Sequence, residues 1–132
     1  KAESPVITAQ CFRVACLDGH MAAVFMKFQD GSKPSIEQIK ADWAAFRGPA
    51  QELELPSAPK QFLHYFEEDN RPQTKLDRNL EHGMAISLGR LREDSQYDYK
   101  FVGLSHNTLR GAAGGAVLLA ELLCAKGYIE AK

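Results

Sequence analysis

The sequence lacks a long hydrophobic run, a basic stripe and a set of paired cysteines. No apolar stretch reaches the roughly 18 residues that a membrane-spanning helix needs, so we expect no membrane span. The 16 Lys and Arg residues are balanced by 17 Asp and Glu residues and are scattered, which argues against nucleic acid as a partner. Three cysteines, an odd number, argue against a disulfide framework and favour a reducing, cytoplasmic location.

What is present is the composition of an ordinary folded domain. Of 132 residues, 45% are hydrophobic and 25% are charged, and this length suits one domain with one core. We therefore treat residues 1–132 as a single domain, with no room for a second, nucleotide-binding one. Because the chain begins at Lys1, we expect it to be a mature product or a piece of a longer protein.

The N-terminal part predicts a pair of strands. Residues 6–16 and 20–29 are rich in Val, Ile and Phe, which favour extended backbone. They are joined by Asp18 and Gly19, a dipeptide that favours tight turns. We therefore predict a first β-hairpin in this region.

Three later segments also have strand character. Residues 61–66 form a short apolar run after a proline-rich connection, and residues 84–92 and 97–105 flank the polar turn EDSQ. The last two segments predict a second hairpin. The polar tract from Glu67 to His82 has no recognisable ligand order, and we expect a solvated loop outside the core, although its length would also suit a role in an interface.

Two helices complete the prediction. Apolar residues recur at helical spacing over residues 36–47, after the capping residue Ser35. A second helix is predicted over residues 108–126, with Asn107 or Thr108 as its cap. The predicted fold is α+β, a mixed and largely antiparallel sheet with a C-terminal helix, each helix burying its apolar face against the sheet.

The stretch CFRVACLDGH concentrates residues that could carry chemistry. Cys11, Cys16 and His20 could bind a metal, but their spacing is not a familiar zinc pattern, and we predict no metal site. Cys16 and His20 could also form a thiolate–imidazolium pair. We favour the simpler interpretation, in which both cysteines are small buried strand residues.

Arg13 and His20 are the stronger candidates in this stretch. His20 follows a glycine at the mouth of a turn, where an imidazole can act as an acid–base group or simply bond a backbone carbonyl. Arg13 lies in a strand-like segment with apolar neighbours, and burying a guanidinium is costly without an anionic partner. Either an internal acid or an anionic ligand should pair with it.

The stretch GLSHNTLRGAAGG forms a second candidate site, where a strand leads into a helix made at first of small residues. Helix N-termini attract anions, and missing side chains let a ligand approach closely. Small residues more often serve tight packing, which is the interpretation that we prefer on these grounds.

Four stretches together resemble a known family. CFRVACLDGHMAAVFMKF, LPSAPKQFLHYFEEDNRPQTKLDR, GMAISLGRLRED and LSHNTLRGAAGGAVLLAELL resemble, in this order, the C-terminal part of aspartate-semialdehyde dehydrogenases, and most closely the fungal and archaeal branch. The resemblance extends over residues 7–129. It implies part of a catalytic and dimerisation domain of the glyceraldehyde-3-phosphate-dehydrogenase-like type.

The resemblance also implies roles for individual residues. Enzymes of this family reduce aspartyl 4-phosphate to aspartate semialdehyde with NADPH, through a cysteine thioester, in amino-acid biosynthesis. By motif, Arg13 matches the arginine that holds the substrate's α-carboxylate, and His20 matches the acid–base histidine. Asn107 matches the asparagine that contacts the nicotinamide carboxamide, while Gly111 and Ala112 keep the helix start clear of the ring.

Other parts of the family pattern have no counterpart in this sequence. The nucleophilic cysteine, the phosphate-binding groups, the acid that holds the substrate amine and the glycine-rich nucleotide fingerprint are missing from its motifs. We therefore expect the isolated chain to form a homodimer, to lack activity and to bind NADP weakly. The alternatives are a stand-alone structural or regulatory dimerisation module, and part of a related acyl-phosphate or acyl-CoA reductase.

Overall fold

A four-stranded sheet forms the middle of the structure, a computed structural model that describes residues 9–29 and 31–130. Its strands are β1 His20–Met26, β2 Leu63–Phe66, β3 Ile86–Glu93 and β4 Tyr99–Ser105. They lie in the order β1-β4-β3-β2, with β1 and β3 antiparallel to β4, and β2 parallel to β3. This arrangement confirms the predicted α+β class with a mixed, largely antiparallel sheet.

Short helices connect and cover the strands. The α-helices are α1 Ile36–Ala45, α2 Pro49–Glu52, α3 Thr74–Asp77 and α4 Gly114–Ala125. A 3₁₀ turn, Leu80–Gly83, precedes β3, and a π-helical turn, Leu109–Ala113, leads into α4. Within the described part of the chain, no helix is both long enough and apolar enough to cross a bilayer.

Helix α1 covers one face of the sheet, as its apolar spacing predicts. The side chain of Ser35 caps it by accepting a hydrogen bond of 3.1 Å from the first turn of the helix. The helix ends at Ala45, slightly earlier than predicted, because Phe46 adopts extended backbone. The buried core beneath α1 consists of Ile39, Leu91 and Tyr99.

Helix α4 packs beside the sheet, against α2 and the neighbouring loops. Its buried contacts form a second cluster, Leu55, Met84 and Leu118. The helix is apolar on most sides and buries one stripe, so Val117 and Leu119 stay more than half exposed. Helix α4 therefore departs from the expectation that each helix lies on the sheet. Gly127 ends it in a left-handed conformation.

The predicted strand over residues 6–16 is absent from its described part, and residues 6–8 lie outside the described residues. Strand β1 pairs with β4 and not with the segment before it, so the predicted first hairpin is wrong. Phe12 and Val14 in this segment are 77% and 71% exposed. Strand-forming residues need a hydrogen-bonded neighbour, and among residues 9–29 and 31–130 no strand lies beside this segment.

Strands β3 and β4 form the predicted second hairpin, and Asp94 organises its turn. The Asp94 carboxylate accepts hydrogen bonds from the backbone N–H groups of Gln96 and Tyr97 at 2.9 and 3.0 Å. Lys100 lies 2.8 Å from its other oxygen. The bond from Lys100, aided by the two N–H groups, lowers the pKa of Asp94 to about 2.

Candidate functional site

The start of β1 and the residues just after β4 lie side by side. His20 is paired with Ser105 in the sheet. One residue further out, the backbone N–H of Gly19 donates a hydrogen bond of 2.9 Å to Oδ1 of Asn107. Two residues predicted to be functional, His20 and Asn107, therefore meet at one end of the sheet.

Gly19 fits this place because it has no side chain. Its φ is 107°, and a Cβ there would lie 3.0 Å from Cγ2 of Thr74 and 3.1 Å from Cδ1 of Leu104. Gly19 is buried, whereas the next residue, His20, is exposed. The buried glycine thus anchors the chain, and the imidazole beside it is accessible to a ligand.

The side-chain amide of Asn107 has a defined orientation because its partner can only donate. The backbone N–H of Gly19 must face the amide oxygen, so the Nδ2 amino group points elsewhere. Asn107 is half-buried, and within the described part of the chain its amino group has no hydrogen-bond acceptor. Two N–H donors therefore remain for a ligand carbonyl.

His106 is a residue of this site that the sequence analysis missed. It is 5% exposed, and its Nδ1 accepts hydrogen bonds from the backbone N–H groups of Thr108 and Leu109, each at 3.2 Å. Its imidazole satisfies N–H groups that the start of a helix leaves without partners. The only signal in the sequence is a histidine at the junction between a strand and a helix.

Thr108 is the N-cap residue of the π-helical turn, one of the two positions that were predicted, but it does not cap through its side chain. Neither Asn107 nor Thr108 caps by its side chain, because Asn107 is bonded to Gly19 and His106 takes over the capping. The first turn is also wider than predicted, since the N–H of Gly111 bonds the carbonyl of His106 at 2.9 Å.

The small residues after Asn107 divide into two groups. A Cβ on Gly114 would lie 2.5 Å from Sδ of Met84, so this glycine allows α4 to approach the loop before β3. Gly111 and Ala112 are exposed on the π-helical turn. Their exposure is compatible with close approach of a ligand, and packing alone does not account for them.

Arg13 is exposed in the irregular segment before β1. The sequence analysis expected it in a strand with an anionic partner, and the strand is absent here. Within residues 9–29 and 31–130, no ion pair joins Arg13 to a carboxylate and no hydrogen bond joins it to His20 or Asn107. Its guanidinium is therefore available to an anion from outside this segment.

The cysteines do not occupy the buried strand positions that the sequence favoured. Cys11 and Cys16 are both exposed, because the strand that should have buried them is absent. Cys16 lies near the site, with its Sγ 3.7 Å from the carbonyl oxygen of Gly19. The described residues contain no cluster of three or more His, Cys, Asp or Glu side chains that could bind a metal.

The polar tract from Glu67 to His82 is more ordered than a solvated loop. Asp77 within it is 2% exposed and forms an ion pair with Arg71. The bond from Nε of Arg71 is 2.8 Å long, and the N–H of Gln73 adds another of 2.7 Å. Because Asp77 is buried, the expectation that this tract lies outside the core is wrong. The burial is possible because the carboxylate is fully paired.

The pair of Arg71 and Asp77 holds α3 in place beneath Gly19. Burial alone would raise the pKa of Asp77, but the bonds from Arg71 and Gln73 outweigh it and hold that pKa below its usual value. The same helix begins at Thr74, whose Cγ2 would lie 3.0 Å from a Cβ on Gly19. A buried ion pair thus supports the glycine next to His20.

Comparison with known proteins gives a consistent set of relatives. Residues 1–110 match the family model described as semialdehyde dehydrogenase, dimerisation domain. The aspartate-semialdehyde dehydrogenase of Saccharomyces cerevisiae is 46% identical over 123 residues, which are 93% of this chain and 34% of the relative. The enzyme of the same name from Methanothermobacter thermautotrophicus is 42% identical over 119 residues, 89% of this chain and 34% of the relative.

Solved structures agree with this result. The aspartate-semialdehyde dehydrogenase of Candida albicans, crystallised with NADP, is 43% identical with a TM-score of 0.77, over 85% of this chain and 31% of that one. A Vibrio cholerae structure of the enzyme's second form, at 22% identity and a TM-score of 0.62, shares the fold. The chain spans about a third of the length of the curated relatives that it matches.

Proposed function

This chain belongs to the family of semialdehyde dehydrogenase dimerisation domains, and we propose that it is the C-terminal part of an NADP-dependent aspartate-semialdehyde dehydrogenase. The proposed reaction is the reductive dephosphorylation of L-aspartyl 4-phosphate to L-aspartate 4-semialdehyde. The observation that carries the proposal is the hydrogen bond between Gly19 and Asn107, which brings an acid–base candidate and a cofactor-contact candidate together.

His20 serves as the acid–base group in this proposal. The reaction needs a proton to move at the substrate oxygen when the carbon–sulfur bond of the covalent intermediate breaks. An imidazole titrates near neutral pH, so it can give and take that proton. The exposure of His20 beside the buried Gly19 supports this role.

Arg13 binds the α-carboxylate of the substrate in this proposal. A planar guanidinium can donate two parallel hydrogen bonds to a carboxylate, which fixes both position and orientation. The absence of an ion pair to Arg13 within the described residues supports a role for it outside the protein's own charge network.

The π-helical turn that leads into α4 suits the nicotinamide end of NADP. The two N–H donors of Asn107 are oriented away from Gly19 and can bind the carboxamide oxygen, while the exposed Gly111 and Ala112 offer no bulky side chain. NADPH, when bound, would supply the hydride and leave as NADP. Residues for the adenine and the pyrophosphate have no counterpart in this sequence, so we expect weak binding by the chain alone.

One face of the sheet supports the proposed homodimer. Met26 packs under α1, so Met21 and Phe25, at odd positions of β1, lie on the opposite face. They are 50% and 52% exposed, and the ring of Phe25 packs at a tilt against the half-exposed Tyr97, with 5.7 Å between ring centres. Apolar side chains of this kind are stable in water when a second surface covers them, and twofold pairing is the common solution.

This apolar face also favours the second candidate function, a stand-alone dimerisation module without catalysis. The two candidates differ in what surrounds the segment in its gene. An open reading frame that extends upstream of Lys1 into a nucleotide-binding domain supports the enzyme, and a frame that starts at Lys1 supports the module. In either case we propose a cytoplasmic protein.

An assay of the complete protein tests the enzyme proposal against the related reductases. We expect NADPH to be consumed with aspartyl phosphate, and to be formed from NADP, phosphate and aspartate semialdehyde. Malonyl-CoA is the control, because it lacks the α-carboxylate geometry that Arg13 is proposed to bind. Faster turnover with malonyl-CoA would assign the protein to an acyl-CoA reductase and reject the proposed substrate.

Sedimentation and calorimetry of this 132-residue chain alone test the remaining expectations. We expect a dimer that shows no catalysis and no tight NADPH binding. A monomer would reject the dimer. Micromolar NADPH binding would show that the main cofactor contacts lie within this segment.

A further inference from the structure

We propose that His106 is a positioning residue for Asn107 and, through Gly19, for His20. The inference rests on the proposed function, because it assigns a new residue to the same site. It starts from an imidazole that is nearly inaccessible to solvent and yet lies next to the proposed cofactor contact.

The contacts of His106 indicate which of its two ring nitrogens accepts hydrogen bonds. One ring nitrogen, Nδ1, faces the backbone N–H groups of Thr108 and Leu109, both at 3.2 Å. Both groups can only donate, so Nδ1 must carry a lone pair and no proton. Nδ1 is therefore the accepting nitrogen of His106, and the ring N–H is assigned to Nε2.

The main chain of His106 also holds the turn that follows Asn107. Its carbonyl oxygen accepts the N–H of Gly111 at 2.9 Å. The side chain and the main chain of a single residue thus bind the next turn at three N–H groups. Asn107 is the first residue inside this closed turn, so its side chain starts from a backbone that His106 holds.

Gly83, in the 3₁₀ turn before β3, leaves room for the imidazole of His106. A Cβ on Gly83 would lie 3.2 Å from Cδ2 of His106 and 2.5 Å from Cδ1 of Leu109. Gly83 follows two other residues with positive φ, Glu81 at 50° and His82 at 56°. Residues other than glycine rarely adopt this conformation, and a run of them needs support from its surroundings.

A continuous series of contacts then leads from His106 to His20, the acid–base candidate. His106 fixes the turn, Asn107 extends from the turn, and the Asn107 oxygen holds the N–H of Gly19. Gly19 is directly bonded to His20. We infer that loss of the acceptor at position 106 loosens the cofactor contact and the acid–base group together.

Two variants of the complete protein separate the acceptor from the packing. His106→Leu keeps an apolar side chain against Gly83 and removes the acceptor. His106→Asn keeps an acceptor that can bond the N–H groups two and three residues later. Tyr65→Phe is the matched control, because the Tyr65 hydroxyl accepts the N–H of Leu91 at 3.2 Å and lies on β2, at the far edge of the sheet from β1.

We expect His106→Leu to raise KM for NADPH roughly tenfold or more, which is the scale of losing buried hydrogen bonds, and to lower kcat as well. His106→Asn should remain within about threefold of wild type. In an Asn107→Ala background, His106→Leu should have little further effect, because the residue through which it acts is gone. Effects that multiply independently would overturn the inference, as would equal losses in His106→Leu and His106→Asn.

A second measurement does not depend on activity. Hydrogen exchange at the peptide that contains Gly19 should be faster in His106→Leu than in wild type, and unchanged in Tyr65→Phe. Unchanged exchange in His106→Leu would overturn the link. If His106→Leu does not fold, His106→Gln replaces it, because its amide lies one bond further from the backbone, near the place of Nε2, and leaves the place of Nδ1 without an acceptor. Exchange equal to that of His106→Asn would then contradict the inference. A wild-type protein without dehydrogenase activity would reject the proposed function, while the exchange result would still test the link.

Discussion

The backbone N–H of Gly19 and the side-chain oxygen of Asn107 are 2.9 Å apart, although 88 positions separate the two residues in sequence. Gly19 directly precedes His20, the acid–base candidate. Asn107 follows the carboxyl end of β4 and is proposed to contact the cofactor. The bond between them is the reason why we treat two distant sequence motifs as one site. A substitution at Gly19 or at Asn107 should therefore affect both motifs.

Gly19→Ala should lower turnover of the complete enzyme by about tenfold or more, since small displacements of catalytic groups are costly. The new methyl group would contact Thr74 and Leu104 at 3.0 and 3.1 Å and would move His20. Gly127→Ala is the matched control. Gly127 also has a positive φ, of 74°, and nothing lies within 4 Å of a Cβ there. Alanine at this position therefore causes the same kind of backbone strain without a steric clash. Equal activity losses in the two variants would reject the positional argument.

His20→Asn should reduce kcat by about 10²- to 10⁴-fold and leave substrate affinity nearly unchanged, because proton transfer is a task of the transition state. Steady-state kinetics with varied aspartate semialdehyde separate the two parameters. A kcat equal to that of wild type would remove His20 from the mechanism.

Arg13→Lys should raise KM for the substrate sharply although the charge is retained, because an ammonium cannot replace the two-point contact of a guanidinium. The measurement is KM for aspartate semialdehyde in the complete enzyme. Arg90→Lys is a suitable control, since Arg90 lies on β3 and forms an ion pair with the exposed Asp69 in the turn after β2. A change of less than about twofold in Arg13→Lys would contradict the carboxylate role.

Asp94→Asn should destabilise the complete protein at neutral pH, and the difference from wild type should shrink in acid. A carboxyl whose pKa is lowered by folding stabilises the protein above its unfolded pKa of about 3.9. That contribution is lost as the pH falls through the folded value of about 2. Urea unfolding between about pH 6 and pH 2 measures the difference. Asp69→Asn is the control, because Asp69 is fully exposed and its ion pair should contribute little. A difference that is independent of pH would contradict the assignment.

Elements that depend on local pattern could be predicted from the sequence. The apolar spacing after Ser35 indicated α1, and the two strands around EDSQ formed the predicted hairpin. His20 and Asn107 were identified through the family resemblance. That the two residues meet depends on the pairing of β1 with β4, which neither motif contains.

Elements that depend on a distant partner could not be predicted. The segment before Gly19 has strand-forming residues, but a strand requires a neighbour, and none of the described strands lies beside it. Asp77 occurs in a tract whose composition indicates a loop, and Arg71 and Gln73 make its burial possible. His106 was missed because an imidazole is an unusual helix cap.

A crystal structure of the complete protein with bound NADP tests the central claim most directly, namely that Gly19, His20 and Asn107 form one site for cofactor and substrate. We predict that Nδ2 of Asn107 lies within about 3.2 Å of the carboxamide oxygen, a normal hydrogen-bond distance, with the Gly19 bond retained and His20 facing the nicotinamide. A nicotinamide bound away from Asn107, or an Asn107 oxygen released from Gly19, would contradict it.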